Sequence, residues 1–122
     1  MLERVYLDKT DGRHVRSDGT VIWYLHGKVH RDDGPAVEFD DGTMQWYQNG
    51  LLHRDSGPAI VYPTGRKAWY KEGKLHRDGG PAVEWEDGKK EYYINGVKVG
   101  QRRKRKIRKE FFKNLPRSGY IE

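Results

Sequence analysis

The 122-residue chain is predicted to be all-β, an antiparallel meander of about four 23-residue hairpin repeats followed by a basic amphipathic α-helix at its C-terminus. Three observations predict it. One block of residues recurs at a fixed period, each block alternates apolar and polar positions as a strand does, and from residue 101 onward the composition turns to helix formers rich in Lys and Arg.

The period is read directly. Asp18-Gly19, Asp41-Gly42, Thr64-Gly65 and Asp87-Gly88 recur every 23 residues, and five positions after the first residue of each pair stands Trp23, Trp46, Trp69 or Tyr92. Each of these is followed by Tyr24, Tyr47, Tyr70 or Tyr93, and four residues after each large aromatic comes Gly27, Gly50, Gly73 or Gly96. The three full units add His-Arg-Asp at 30–32, 53–55 and 76–78, then Gly-Pro-Ala at 34–36, 57–59 and 80–82.

Residues 1–17 read as a degenerate N-terminal cap, with a strand over Leu2–Leu7, a turn at Asp11-Gly12 and a charged edge strand over His14–Arg16. End units of a repeat array depart from consensus because they face water. Residues 18–100 form the hairpin repeats. Thr20–Leu25 and its equivalents alternate with period two, placing Val21, Trp23 and Leu25 on one face and Ile22 and Tyr24 on the other. Asn49-Gly50 and Asn95-Gly96 have the sequence of a type I′ turn, and His26-Gly27 and Glu72-Gly73 hold the same place less ideally. Pro35, Pro58 and Pro81 cannot donate to a ladder, so each opens the second strand of its unit, which runs to the next Asp-Gly or Thr-Gly boundary. The Trp column is expected to form the core. The tyrosine row is then expected on the uncovered face, as a contact surface with large rigid area and polar tips.

Composition narrows function. With no cysteine, the chain has no disulfides, thiolate metal sites or cysteine nucleophiles, and a reducing, cytoplasmic setting is expected. The N-terminus lacks the apolar run of a signal peptide, and no stretch of 18 apolar residues occurs. The net charge of +6 is uneven. Residues 101–116 hold eight Lys or Arg against Glu110, giving +7; Arg117 and Glu122 cancel, leaving −1 for residues 1–100.

The His-Arg-Asp triplets invite a catalytic reading, but equivalent positions in consecutive hairpins lie two strand spacings apart, about 9.5 Å. Two imidazoles sharing a zinc need nitrogens within roughly 3.5 Å. No metal, cofactor or catalytic residue is therefore expected. Asp32, Asp55 and Asp78 are expected to satisfy turn amides, and Arg31, Arg54 and Arg77 to pair with acidic neighbours or hold an anionic partner. In residues 101–122, Ile107, Phe111 and Leu115 recur at i, i+4, i+8 and Pro116 stops the helix. The helix is expected to cap the sheet, its apolar stripe packing over the last hairpin. Its basic residues Arg102, Arg103, Lys104, Arg105, Lys106, Arg108 and Lys109 also suit phosphates, an anionic membrane surface or a nuclear-import receptor.

The unit Trp-Tyr-x-Asn-Gly-x-x-His-Arg-Asp-x-Gly-Pro-Ala resembles the MORN repeat over residues 18–100, in a variant class frequent in bacterial and viral proteins, with Arg-Asp-x-Gly-Pro-Ala in place of the family's Gly-x-Gly. The resemblance implies an elongated, curled sheet used as a scaffold, and some relatives act as antitoxins. A non-enzymatic scaffold that binds a protein, antitoxin- or inhibitor-like, is the leading expectation. Nucleic-acid binding through the tail is the alternative, with a membrane surface and a small homo-oligomer behind them.

Overall fold

The computed structural model describes residues 9–100. The predicted Leu2–Leu7 strand and the basic helix lie outside them. Within them the chain is all-β and antiparallel throughout. Its strands are β1 (Gly12–Val15), β2 (Val21–Leu25), β3 (Lys28–Val29), β4 (Val37–Glu38), β5 (Met44–Gln45), β6 (Tyr47–Gln48) and β7 (Leu51–Leu52). They continue as β8 (Ile60–Val61), β9 (Lys67–Ala68), β10 (Tyr70–Lys71), β11 (Lys74–Leu75), β12 (Val83–Glu84), β13 (Lys90–Ile94) and β14 (Val97–Val99).

The main ladder runs β1-β2-β4-β5-β8-β9-β12-β13-β14, a meander in which neighbours in space follow one another in sequence once the short hairpin arms are set aside. β3 pairs with β2, while β6–β7 and β10–β11 stand beside the ladder as two-stranded hairpins. The edge strand expected at His14–Arg16 is present as β1, which pairs Arg13 with Trp23 and Val15 with Val21.

Local chemistry explains both reversals in each unit. His26, Asn49, Glu72 and Asn95 have φ of 49° to 53°, each followed by a glycine at 79° to 84°, the two left-handed positions of a type I′ turn. The less ideal His and Glu therefore adopt the same turn as Asn. At the unit boundary Gly42 N donates to Phe39 O (3.0 Å), Phe39 N donates to Thr43 O (2.9 Å), and Gly42 takes φ of 97°. That is a type I turn closed by a glycine bulge. Asp18 and Asp41 accept from the amides of Thr20 and Thr43 at 2.9 and 2.8 Å, which draws each carboxyl below its ordinary value of 3.8.

In the second and third units the expected continuous strand is interrupted at the tryptophan. Trp46 N donates to Ala59 O of the ladder while its carbonyl accepts from His53 N, and Trp69 repeats the pattern with Ala82 and His76. The residue thus joins the ladder to the lateral hairpin.

The core does not lie where alternation alone had placed it. Ile22 and Tyr24 are buried at 7% and 9% exposure and pack with Val37, with Val29 and Tyr47 against them. Ala36, Ala59 and Ala82 are fully buried, and Ile60, Ala68 and Val83 continue the column. The Trp residues are only half-buried. The predicted tyrosine contact surface is corrected accordingly: Tyr24 is core, and Tyr47, Tyr70 and Tyr93 are half-buried. Period two says which residues share a face. It does not say which face is covered, and here the Trp face is closed by charged groups rather than by an apolar layer.

Candidate functional site

The cover over each tryptophan is the arginine of its own unit. Arg31 Cζ lies 4.1 Å from the Trp23 ring centroid, Arg54 3.9 Å from Trp46, and Arg77 4.0 Å from Trp69. Each cation–π contact contributes roughly 0.5–2 kcal/mol, depending on desolvation. On the other side of each guanidinium sits a glycine, where a Cβ would lie 3.0 Å from Arg31 Cζ at Gly34 and 3.1 Å from the equivalent atom at Gly57 and Gly80. The arginine is therefore sandwiched. Its Nη1 donates to the carbonyl of Pro35, Pro58 or Pro81 at 3.1 to 3.2 Å, tying the loop to the stack. Gly-Pro is thus part of the same device as His-Arg-Asp.

The histidines join one unit to the next. His30 Nδ1 accepts from Asn49 N, His53 Nδ1 from Glu72 N and His76 Nδ1 from Asn95 N, all at 2.9 Å and 19 residues apart in sequence. An amide donating to Nδ1 requires that nitrogen bare, so the ring proton sits on Nε2. Nε2 in turn donates to Oδ1 of Asp32, Asp55 or Asp78 at 2.9 to 3.0 Å. Both ring nitrogens are committed: Nε2 carries the proton, and Nδ1 serves as a base only by releasing the turn amide. The first turn has no preceding His-Arg-Asp, and there Asp11 Oδ1 takes the His26 amide at 2.7 Å.

These contacts correct the aspartate expectation: Asp32, Asp55 and Asp78 bond to the histidine ring, not to the turn amides. The arginine pairing holds in two units. Arg31 Nε reaches Asp33 at 2.9 Å with Glu38 at 3.8 Å, and Arg77 reaches Glu84 at 3.3 Å. Arg54 has no carboxylate partner among the described residues, because Val61 stands where those units carry Glu38 and Glu84.

Between consecutive loops the stacks leave grooves. One of about 540 Å³ is bounded by Arg54, Ser56 and Pro58 of the second unit and by Trp69, Tyr70 and Arg77 of the third. Another of about 380 Å³ repeats the arrangement one unit earlier, between Arg31 and Gly34 on one side and Trp46 and His53 on the other. Arg54, Asp55 and Ser56 belong to both. The sequence-predicted arginines are thus brought to one surface, as groove walls, with Tyr70 alone of the tyrosines lining a groove among those two. Burial raises the hydroxyl pKa of Tyr70 above the ordinary 10.0, reinforced by neighbouring tyrosines, and burial alone does so at Tyr47.

What faces water on this surface is mostly acid, with Lys71 the one exposed cation among the residues lining the two grooves. The side chains of Asp32, Asp33, Asp55 and Asp78 are 78% to 86% exposed, against 23% for Arg31 and 34% for Arg77. Among the described residues no group of three or more His, Cys, Asp or Glu is placed to hold a metal ion. The predicted tail residues, Arg102 to Lys109, lie outside the described residues. The missed residues are Ser56 and the sandwich glycines; the only signal was a glycine always three positions after the arginine. No family model, curated protein or solved structure matches the chain.

Proposed function

We propose that the chain is a non-enzymatic repeat scaffold that binds a protein partner along the face carrying the His-Arg-Asp loops. The observation that carries the reading is the recurrence of one groove between successive units. Arg, Asp, Gly, Trp and His hold equivalent positions of its walls, with Ser56 and Lys71 in the later groove in place of Asp33 and Gln48. A surface that presents equivalent walls in register suits an extended segment that contacts several units, and rigid walls lower the ordering cost of binding. The resemblance of the unit to the MORN repeat, with the elongated, curled sheet it implies, supports the same reading.

Ser56 offers the test, because it is exposed and borders both grooves. Ser56→Trp places an indole on the wall that the two grooves share without entering the core. Proximity labelling in the source cells identifies the bound protein, and its retention is then measured with the parent and variant chains. Loss of about tenfold or more in affinity, with an unchanged circular dichroism spectrum, is expected. Unchanged affinity overturns the reading and moves recognition to another surface.

A further inference from the structure

The grooves have a spacing and a charge, and together these define the class of segment that fits. Equivalent walls lie two strand spacings apart, about 9.5 Å. A polyproline II segment repeats its side-chain direction every three residues in about 9.3 Å, so its mismatch with the array is about 0.2 Å per unit. A β-strand covers the same distance in about three residues, but the third points to the opposite face. An α-helix needs about 6.3 residues, which is about 1.8 turns and does not return to the same side. Of the regular conformations, polyproline II alone presents an equivalent side chain to each groove. Trp46 and Trp69 line the grooves with one face held by an arginine, and the part of each half-buried ring left accessible is apolar surface of the kind on which proline packs.

The exposed charge on the rim is mostly acid, Lys71 being the one exposed cation among the lining residues. The arginines are spent inside the stacks, on an aromatic face, a glycine and a proline carbonyl, whereas the carboxylates of Asp32, Asp55 and Asp78 project into water. In each, Oδ1 takes the histidine N–H, and Oδ2 has no partner among the described residues. The histidine fixes the carboxylate in direction while one oxygen stays open, at the same period as the grooves. We infer that this face binds a proline-rich segment of another protein in the polyproline II conformation, carrying Lys or Arg at every third residue. The cations meet Asp32, Asp55 and Asp78, and the prolines between them rest against the tryptophan walls. This rests on the groove-face reading above and names its partner.

The test is a fluorescence-anisotropy titration of the full chain with three labelled peptides. They are about four Pro-Pro-Lys triplets, the same composition with irregularly spaced lysines, and Pro-Pro-Glu triplets of equal length. The regular lysine peptide is expected to bind about tenfold tighter than the irregular one, and the glutamate peptide not to bind. Asp55→Asn with Asp78→Asn is expected to weaken the regular peptide about tenfold while leaving the circular dichroism spectrum unchanged. Equal binding of the two lysine peptides overturns the spacing argument, and binding of the glutamate peptide overturns the charge argument. Carbodiimide cross-links from Asp55 or Asp78 to lysines of residues 101–122, in place of the peptide, overturn the assignment to another protein and give the rim to the chain's own tail. If Ser56→Trp releases the natural partner while no peptide binds, the partner chemistry is wrong and the groove face still stands. If Ser56→Trp does not release it, the face itself is wrong.

Discussion

At Gly57 a single methyl group would contest the space of a cation. A Cβ there lies 3.1 Å from Cζ and Nη1 of Arg54, a guanidinium already held on Trp46. Gly57→Ala is expected to displace the arginine and cost about 1–2 kcal/mol in urea unfolding. Gly79→Ala, two residues into the equivalent loop of the next unit, meets nothing within 4 Å and is expected to change stability by less than about 0.5 kcal/mol. The boundary aspartates add a pH dependence. Asp41 accepts the Thr43 amide, so its folded carboxyl titrates below the unfolded value near 3.8, and the unfolded chain binds more protons in that window. Its stabilising contribution is complete above the unfolded value and is lost as pH falls through the folded one. Asp41→Asn keeps the acceptor oxygen and removes the titration. The fall in urea midpoint between about pH 5 and pH 2 is therefore expected to be shallower in that variant.

At the scale of the element, the hairpin turns were legible because their chemistry is local. Asn-Gly and its two weaker substitutes all specify positive φ at both central residues, and all four turns adopt it. Glu72 pays for that conformation where Asn does not. Glu72→Asn reproduces the second and fourth units and is expected to raise stability by about 0.5–1 kcal/mol in the same unfolding assay. The buried face was not legible. Alternation placed Ile22 with Tyr24 correctly, but the residue that covers Trp23 comes from a loop eight positions on, and nothing in a two-residue period points to it. The break at Trp46 was hidden for a related reason. Trp23 makes the equivalent amide and carbonyl bonds, yet β2 runs through it because β1 pairs Arg13 with it. No strand among the described residues pairs with Trp46, a difference set by neighbours and not by propensity.

Across the whole molecule, the period of 23 fixes an array, and contacts between units turn that array into one surface. The histidine lock links residues 19 apart, so each His-Arg-Asp loop is positioned partly by the unit that follows it. The ends differ in a way that fits this role. Asp11 replaces the missing histidine at the start, and Val99 stands where the next histidine would be, so the histidine lock is not repeated in the fourth unit. The charge of the surface was hidden in the sequence. His-Arg-Asp reads as neutral to basic until the structure shows the guanidinium covered and the carboxylate exposed.

The groove face is tested most directly by placing a photoreactive amino acid at position 56, between the two grooves, or at position 64, in the exposed boundary turn at the other end of a unit. Adducts are then collected from cells. A discrete partner cross-linked from position 56 and absent from position 64 is the expected result. Equal labelling from both positions, or a partner captured only from position 64, would contradict the assignment of recognition to the grooves.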